Sequence, residues 1–214
     1  MSIILHKVKH IFTKAKPVLI PCGWFVLYAI AQIVALKISV LIALIMAITI
    51  LYYVLTHPRV KEITFQHKYT KYLIDISLFF AMIFGLLIIS LTMNLRGSDS
   101  YNQQSVIELV KENRWIFLYI IVIAPIFEET IFRYSIINFK TRKTLIVSTI
   151  ISIILFVSLH LSGSTSQIKF AIPYAIPTLG LTTSYIATKD IKCSIILHMA
   201  YNALSCLGIL AMLT

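Results

Sequence analysis

Phe127-Glu128-Glu129-Thr130-Ile131-Phe132-Arg133 sets three charges inside an apolar run, Trp115 to Phe139, that holds no other acid or base. A soluble helix would turn such residues toward solvent. This run is hydrophobic all round, and ionisable groups kept in hydrocarbon face a protein interior or a water-filled cavity and find partners there. The stretch therefore reads as part of a membrane-spanning helix, and something else in the chain must answer its carboxylates.

Composition agrees. Of 214 residues, 59% are hydrophobic and only 13% charged, with a mean hydropathy of +0.91. That charged share is about half the usual value for a globular domain. Apolar runs recur along the whole chain, which predicts an all-α polytopic membrane protein of about seven transmembrane helices at about 20 residues per crossing. The net charge of +11 comes from Lys and Arg clustered in short segments between these runs. No basic arm or aromatic-interleaved patch accompanies them, so nucleic acid is not an expected partner. They read as topology signals and as contacts to the headgroups of membrane lipids. Cys22, Cys193 and Cys206 are too scattered for a disulfide framework or a CxxC metal site.

Residues 1–16 are basic and lead into an apolar run, as in a signal peptide. The run continues to Thr56, far past the roughly 7–15 apolar residues of a cleavable signal, so an uncleaved anchor is expected. Lys37 is the only charge between Pro17 and Thr56 and marks a tight turn between two spans. A third span covers Tyr72 to Met93, with Asp75 near its end. After a polar loop, in which Val106 to Asn113 could lie as an interfacial helix, the fourth span carries the Glu pair. The fifth is Thr144 to Leu161, ended by Ser162-Gly163-Ser164-Thr165-Ser166. Pro173, Pro177 and Gly180 predict a kinked or broken sixth span over Ile168 to Thr188. The seventh follows Lys189-Asp190-Ile191-Lys192. Two units are expected: N-terminal transmembrane helices and loop over 1–114, and a catalytic helical core over 115–214. The clusters at 7–16, 59–71, 140–143 and 189–192 alternate with less basic loops, which predicts a cytosolic N-terminus.

Few ionisable groups then lie at membrane depth: Glu128, Glu129, Arg133, His160 and His198, with Asn202 one turn beyond His198. Glu129 and Arg133 are i,i+4 and share a face, so they can form an internal pair. Glu128 points about 100° away and needs another partner. His198 with Asn202, and Phe156 with His160, repeat the i,i+4 spacing on two further helices. A lone intramembrane His is commonly a helix–helix hydrogen-bonding residue. Three polar helices beside a carboxylate instead predict one shared cavity, for which a cleft from the cytosolic side is the expected route. No His-Glu-x-x-His zinc motif and no second intramembrane Asp for an aspartyl dyad is present. Ser162 and Ser164 lack a nucleophile motif.

Glu128-Glu129-x-x-x-Arg133, Phe156-x-x-x-His160 and His198-x-x-x-Asn202, in that order, resemble the three motifs of the CPBP family. These are the CAAX-processing and bacteriocin-processing (Abi) intramembrane proteases, which include Rce1. The resemblance covers about residues 115 to 210. It implies a hydrolase in which Glu128 activates water with help from His160, while His198 and Asn202 stabilise the oxyanion. Glu129, Arg133 and Phe156 would be structural support. It implies neither metal nor cofactor, and a membrane-associated peptide or protein as substrate, in a multi-pass protein of a cell membrane. A Lys/Ile-rich composition suits a bacterial plasma membrane. The alternatives are a non-enzymatic bacteriocin-immunity or regulatory membrane protein using the same cavity, and a proton-coupled transporter, which lacks the expected repeats.

Overall fold

The computed structural model describes residues 2–63, 69–94, 100–161 and 165–213. Among them the chain is helical, with no strand. Among the described residues eight helices follow one another: α1 (Ser2–Lys37), α2 (Val40–Thr56), α3 (Thr70–Thr92), α4 (Tyr101–Glu112), α5 (116–136), α6 (Arg142–His160), α7 (Ala171–Thr188) and α8 (Ile191–Leu213). A 3₁₀ turn over Thr165–Phe170 leads into α7. Among the described residues four segments are long and apolar enough to cross a membrane: Leu19–Lys37, Thr70–Thr92, Arg142–His160 and Ile191–Ala211. Val40–Thr56 is apolar but has only 17 residues.

Most boundaries follow from local chemistry. The turn expected at Lys37 is there, and Ser39 caps α2 by accepting the Leu41 N–H at 3.2 Å. Thr141 and Thr144 form a reciprocal capping box that starts α6. Ser100 caps α4, which begins five residues before the Val106 of the expected interfacial helix. Residues 162–164 of the expected Ser/Gly turn lie outside the described residues.

Of the kink or break expected in the sixth span, there is no break. α7 runs unbroken through Pro177, and Pro173 falls in its first turn, where a missing N–H costs nothing. Around Pro177 the Thr178 hydroxyl donates to the Tyr174 carbonyl at 2.7 Å. Neighbouring hydroxyls of this kind let a membrane helix carry a proline. α7 packs against α3 through two reciprocal small residues. Gly85 of α3 faces Ile176, and Gly180 of α7 faces Met82, where a Cβ would collide with the sulfur. Small residues bring the backbones close enough for van der Waals packing to hold helices together in lipid.

The same logic seats α1 and α2 on α5. Ala31, Ala43 and Ala47 are fully buried against a core that includes Ile123, Phe127 and Ile131. Side chains such as Ile33, Ile45, Ile154 and Leu207 point outward as an apolar exterior.

The two ends of the bundle are tied differently. At one, Arg59 donates to the Tyr134 and Ser135 carbonyls at 2.8 and 2.7 Å, closing the C-terminal end of α5. Lys71 bridges Glu62 and Asp190 at 2.9 and 2.8 Å, and its hydrogen bond holds the Glu62 carboxyl below the usual carboxylate range. At the other end, the Ser100 hydroxyl meets the Tyr174 hydroxyl, joining the start of α4 to the start of α7.

Asp75 lies near one end of its span, as the sequence places it. It is buried in the second turn of α3 and accepts the Ser184 hydroxyl at 2.6 Å, away from the Glu pair.

Candidate active site

α5 is not a uniform α-helix. It alternates between α and π geometry, with π stretches at Tyr119–Ile123 and Thr130–Ile136 on either side of the Glu pair. In the first, the Ala124 N–H reaches back five residues to the Tyr119 carbonyl. In that register the partner of the Ile120 carbonyl is Pro125, which has no N–H. The orphaned carbonyl is taken by Asn202, whose Nδ2 donates to it at 2.9 Å. A wide turn thus docks α8 onto α5 and fixes the Asn202 amide. In the second stretch the Thr130 and Phe132 carbonyls accept the hydroxyls of Ser135 and Ser152, both at 2.7 Å. Such π segments recur at functional sites.

Glu128 and Glu129 sit between these stretches, and their surroundings separate them. Glu129 is wholly buried and fully engaged. One oxygen accepts Arg133 Nη1 at 2.9 Å and His198 Nδ1 at 2.8 Å; the other accepts the Ser194 hydroxyl. Arg133, also wholly buried, donates from Nη2 to the Thr178 carbonyl at 3.2 Å and lies 4.6 Å over the Phe156 ring. The i,i+4 pair read from the sequence is therefore one side of a larger knot joining α5, α6, α7 and α8.

Glu128 is left freer. Tyr28 of α1 donates to its Oε1 at 2.6 Å, while its Oε2 lies 3.7 Å from His198 Nε2, beyond hydrogen-bond reach. That oxygen is available to a cavity of about 500 Å³ lined by Glu128, His160, His198 and Asn202 together. The size falls within the usual range for a ligand pocket, about 300–1,000 Å³.

The histidines are oriented by what they already bind. His160 stacks on Phe156 at 4.5 Å, and its Nδ1 lies 2.9 Å from the Phe156 carbonyl. A carbonyl only accepts, so Nδ1 carries the proton, and in the neutral ring Nε2 keeps its lone pair. No direct hydrogen bond links His160 to Glu128; they share the cavity wall. His198 donates from Nδ1 to Glu129, which fixes the ring with Nε2 toward Glu128. Phe156 packs among these groups, edge-on to Phe132 at 5.1 Å and 6.1 Å from the His198 ring.

The cavity lies at one end of the bundle. It runs from Glu128 toward the α1–α2 turn, α4, the first turns of α7 and the last turns of α8, away from the Lys- and Arg-rich loops. Charge marks the basic ends in the sequence. Which end opens is decided by how helices splay, and no single helix encodes that.

Two residues of the site carried no motif. Tyr28 was detectable only as the first member of a Tyr28-Ala31-Ala35 stripe, the buried face of α1. Ser194 stands one turn before His198, at the i−4 spacing that also links the recognised pairs.

Residues 111–204 match the family model for type II CAAX prenyl endopeptidase Rce1-like proteins. No curated protein and no solved structure matches the chain. The matched stretch begins at the end of α4 and contains Glu128, Glu129, Arg133, Phe156, His160, His198 and Asn202, while Tyr28 lies outside it. Residues 111–204, all helical and holding these side chains, are thus similar to the Rce1-like family, type II CAAX prenyl endopeptidases.

Proposed function

We propose that this chain is a metal-independent glutamic endopeptidase that hydrolyses a peptide bond of a membrane-associated peptide or protein. The observation that carries this reading is the division of labour between the two acids. Glu129 is consumed by Arg133, His198 and Ser194, whereas Glu128 has one oxygen held by Tyr28 and the other on a cavity.

In this scheme Glu128 takes a proton from a water in the cavity, and the nascent hydroxide adds to the peptide carbonyl. His160, with Nε2 unprotonated, orients that water. The oxyanion is met by the Asn202 amide, which has a second N–H beyond the one given to Ile120, with the His198 ring beside it. Collapse of the tetrahedral centre releases the amine, which takes the proton back from Glu128. A preformed donor set of this kind costs no reorganisation as charge develops, and removing one donor commonly lowers the rate by about 10²–10³-fold. The setting is a multi-pass protein of a bacterial plasma membrane, and CAAX-type, pheromone-type and bacteriocin-type peptides are the candidate substrates.

Comparative peptidomics of membranes carrying wild type or Glu128→Gln tests the reading. Fragments present with wild type and absent with the variant are expected, and they identify the substrate. Indistinguishable peptidomes would overturn it.

Tyr28→Phe probes the hydrogen bond from outside the matched domain. The ring still stacks on Phe127, so the fold is retained. A hydrogen bond to a charged group is worth about 1.5–3 kcal/mol. Loss of the hydroxyl is therefore expected to lower kcat by roughly ten- to a hundredfold, at about 1.4 kcal/mol per decade, with KM little changed. An unaltered kcat would show that Tyr28 only packs.

A further inference from the structure

We infer that the catalytic cavity is reached from the extracytoplasmic face of the membrane, and that its substrate is an uncharged stretch of peptide chain presented there and cut internally. Two independent observations meet here. One is the position of the cavity along the bundle. Its outer lining comes from Leu36 in the last turn of α1, Gln103 and Leu109 of α4, Tyr174 in the first turn of α7, and Gly208 and Ile209 near the end of α8. Glu128 and His198 lie at its inner limit.

The other is charge. The end of the bundle away from the cavity gathers Arg59, Lys61 and Lys71, then Lys140, Arg142 and Lys143, then Lys189 and Lys192. These three loops are one surface: Arg59 holds the end of α5, and Lys71 bridges to Asp190. The cavity end carries Lys37, Lys111, Arg114 and Lys169 among the described residues, offset by Glu108 and Glu112. Loops rich in Lys and Arg stay in the cytosol, so the cavity faces away from it.

The lining narrows the substrate. Among the described residues it contains no Lys or Arg, and Glu128 is the one carboxylate. A chain-terminal carboxylate drawn into it would meet no Lys or Arg of the described lining, and burying an unpaired charge is costly. Neutral polar groups such as Gln103, Tyr174 and Asn202 alternate with apolar ones such as Leu36 and Leu109, which suits the backbone and uncharged side chains of an internal segment.

The substrate assignment rests on the peptidase reading, but its side of the membrane is measured without catalysis. In a background with Cys22, Cys193 and Cys206 replaced, single cysteines are introduced as Gln103→Cys and Gly208→Cys at the cavity, and Lys61→Cys and Lys143→Cys at the basic end. A side chain at Gly208 meets nothing within 4 Å. Spheroplasts of a bacterial expression host are treated with a membrane-impermeant maleimide, and labelling after solubilisation reports how much folded protein each variant yields. The cavity cysteines are expected to label from outside, and the basic-end cysteines only after lysis. The reverse pattern, or labelling of both ends alike, would overturn the inference. Loss of the peptidase reading through an active Glu128→Gln enzyme would leave a labelling result standing, so the two failures are distinguishable.

Discussion

Glu128→Gln is expected to lower kcat for peptide hydrolysis by about 10²–10⁴-fold, the contribution of a positioned general base. The substitution is nearly isosteric. Its amide oxygen can still accept the Tyr28 hydroxyl that Oε1 accepts now, so Tm in detergent should stay at the wild-type value. What disappears is the basic oxygen on the cavity. His160→Ala should lose a comparable factor, because the two act on one water. The double variant should be scarcely worse than either single one, since groups that act as a unit are non-additive. The measurement is single-turnover cleavage, by purified protein, of the peptide identified from membranes. A Glu128→Gln enzyme that cleaves at the wild-type rate would remove Glu128 from the chemistry. An unhindered immunity or regulatory phenotype in the same variant would then favour the non-enzymatic role.

That expectation could be framed from sequence because i,i+4 spacing is a property of a single helix. Glu129 with Arg133, Phe156 with His160 and His198 with Asn202 each declare a shared face without knowledge of any neighbour. The turn at Lys37 was equally local, one charge in a long apolar run. What the letters did not show depends on relations between helices. Pro125 was the trace of the π register, yet nothing in the sequence says that the orphaned Ile120 carbonyl finds Asn202 on α8. Tyr28 lies 100 positions from its partner, on a helix with no motif. Pro177 left a kink or a break open, and with hydroxyls packed around it α7 is continuous. The splay that opens a cavity at the weakly charged end is likewise a packing outcome.

The knot beneath the site makes the second large prediction. Arg133→Met is expected to destabilise the protein by about 3–5 kcal/mol, the usual consequence of removing one partner from a buried ion pair. The methionine fills much of the space against Phe156, so cavity formation contributes little. The damage is electrostatic: Glu129, fully buried, would keep the His198 and Ser194 hydrogen bonds but lose its only cation of permanent charge. The Thr178 carbonyl would lose its guanidinium donor as well. If this account is right, Glu129→Gln in the same chain should restore much of the lost stability, because the neutral amide no longer needs a counter-charge. The pair would then show a coupling well above the few tenths of a kcal/mol of independent sites. Thermal unfolding in detergent of wild type, both single variants and the double variant reads this directly. Additive losses would mean that Arg133 acts through packing on Phe156 rather than through the carboxylate. Activity should separate from stability in the double variant. His198 would then lie against an amide, which can accept from or donate to Nδ1 and so no longer fixes which ring nitrogen carries the proton, and hydrolysis should remain low even where the fold has recovered.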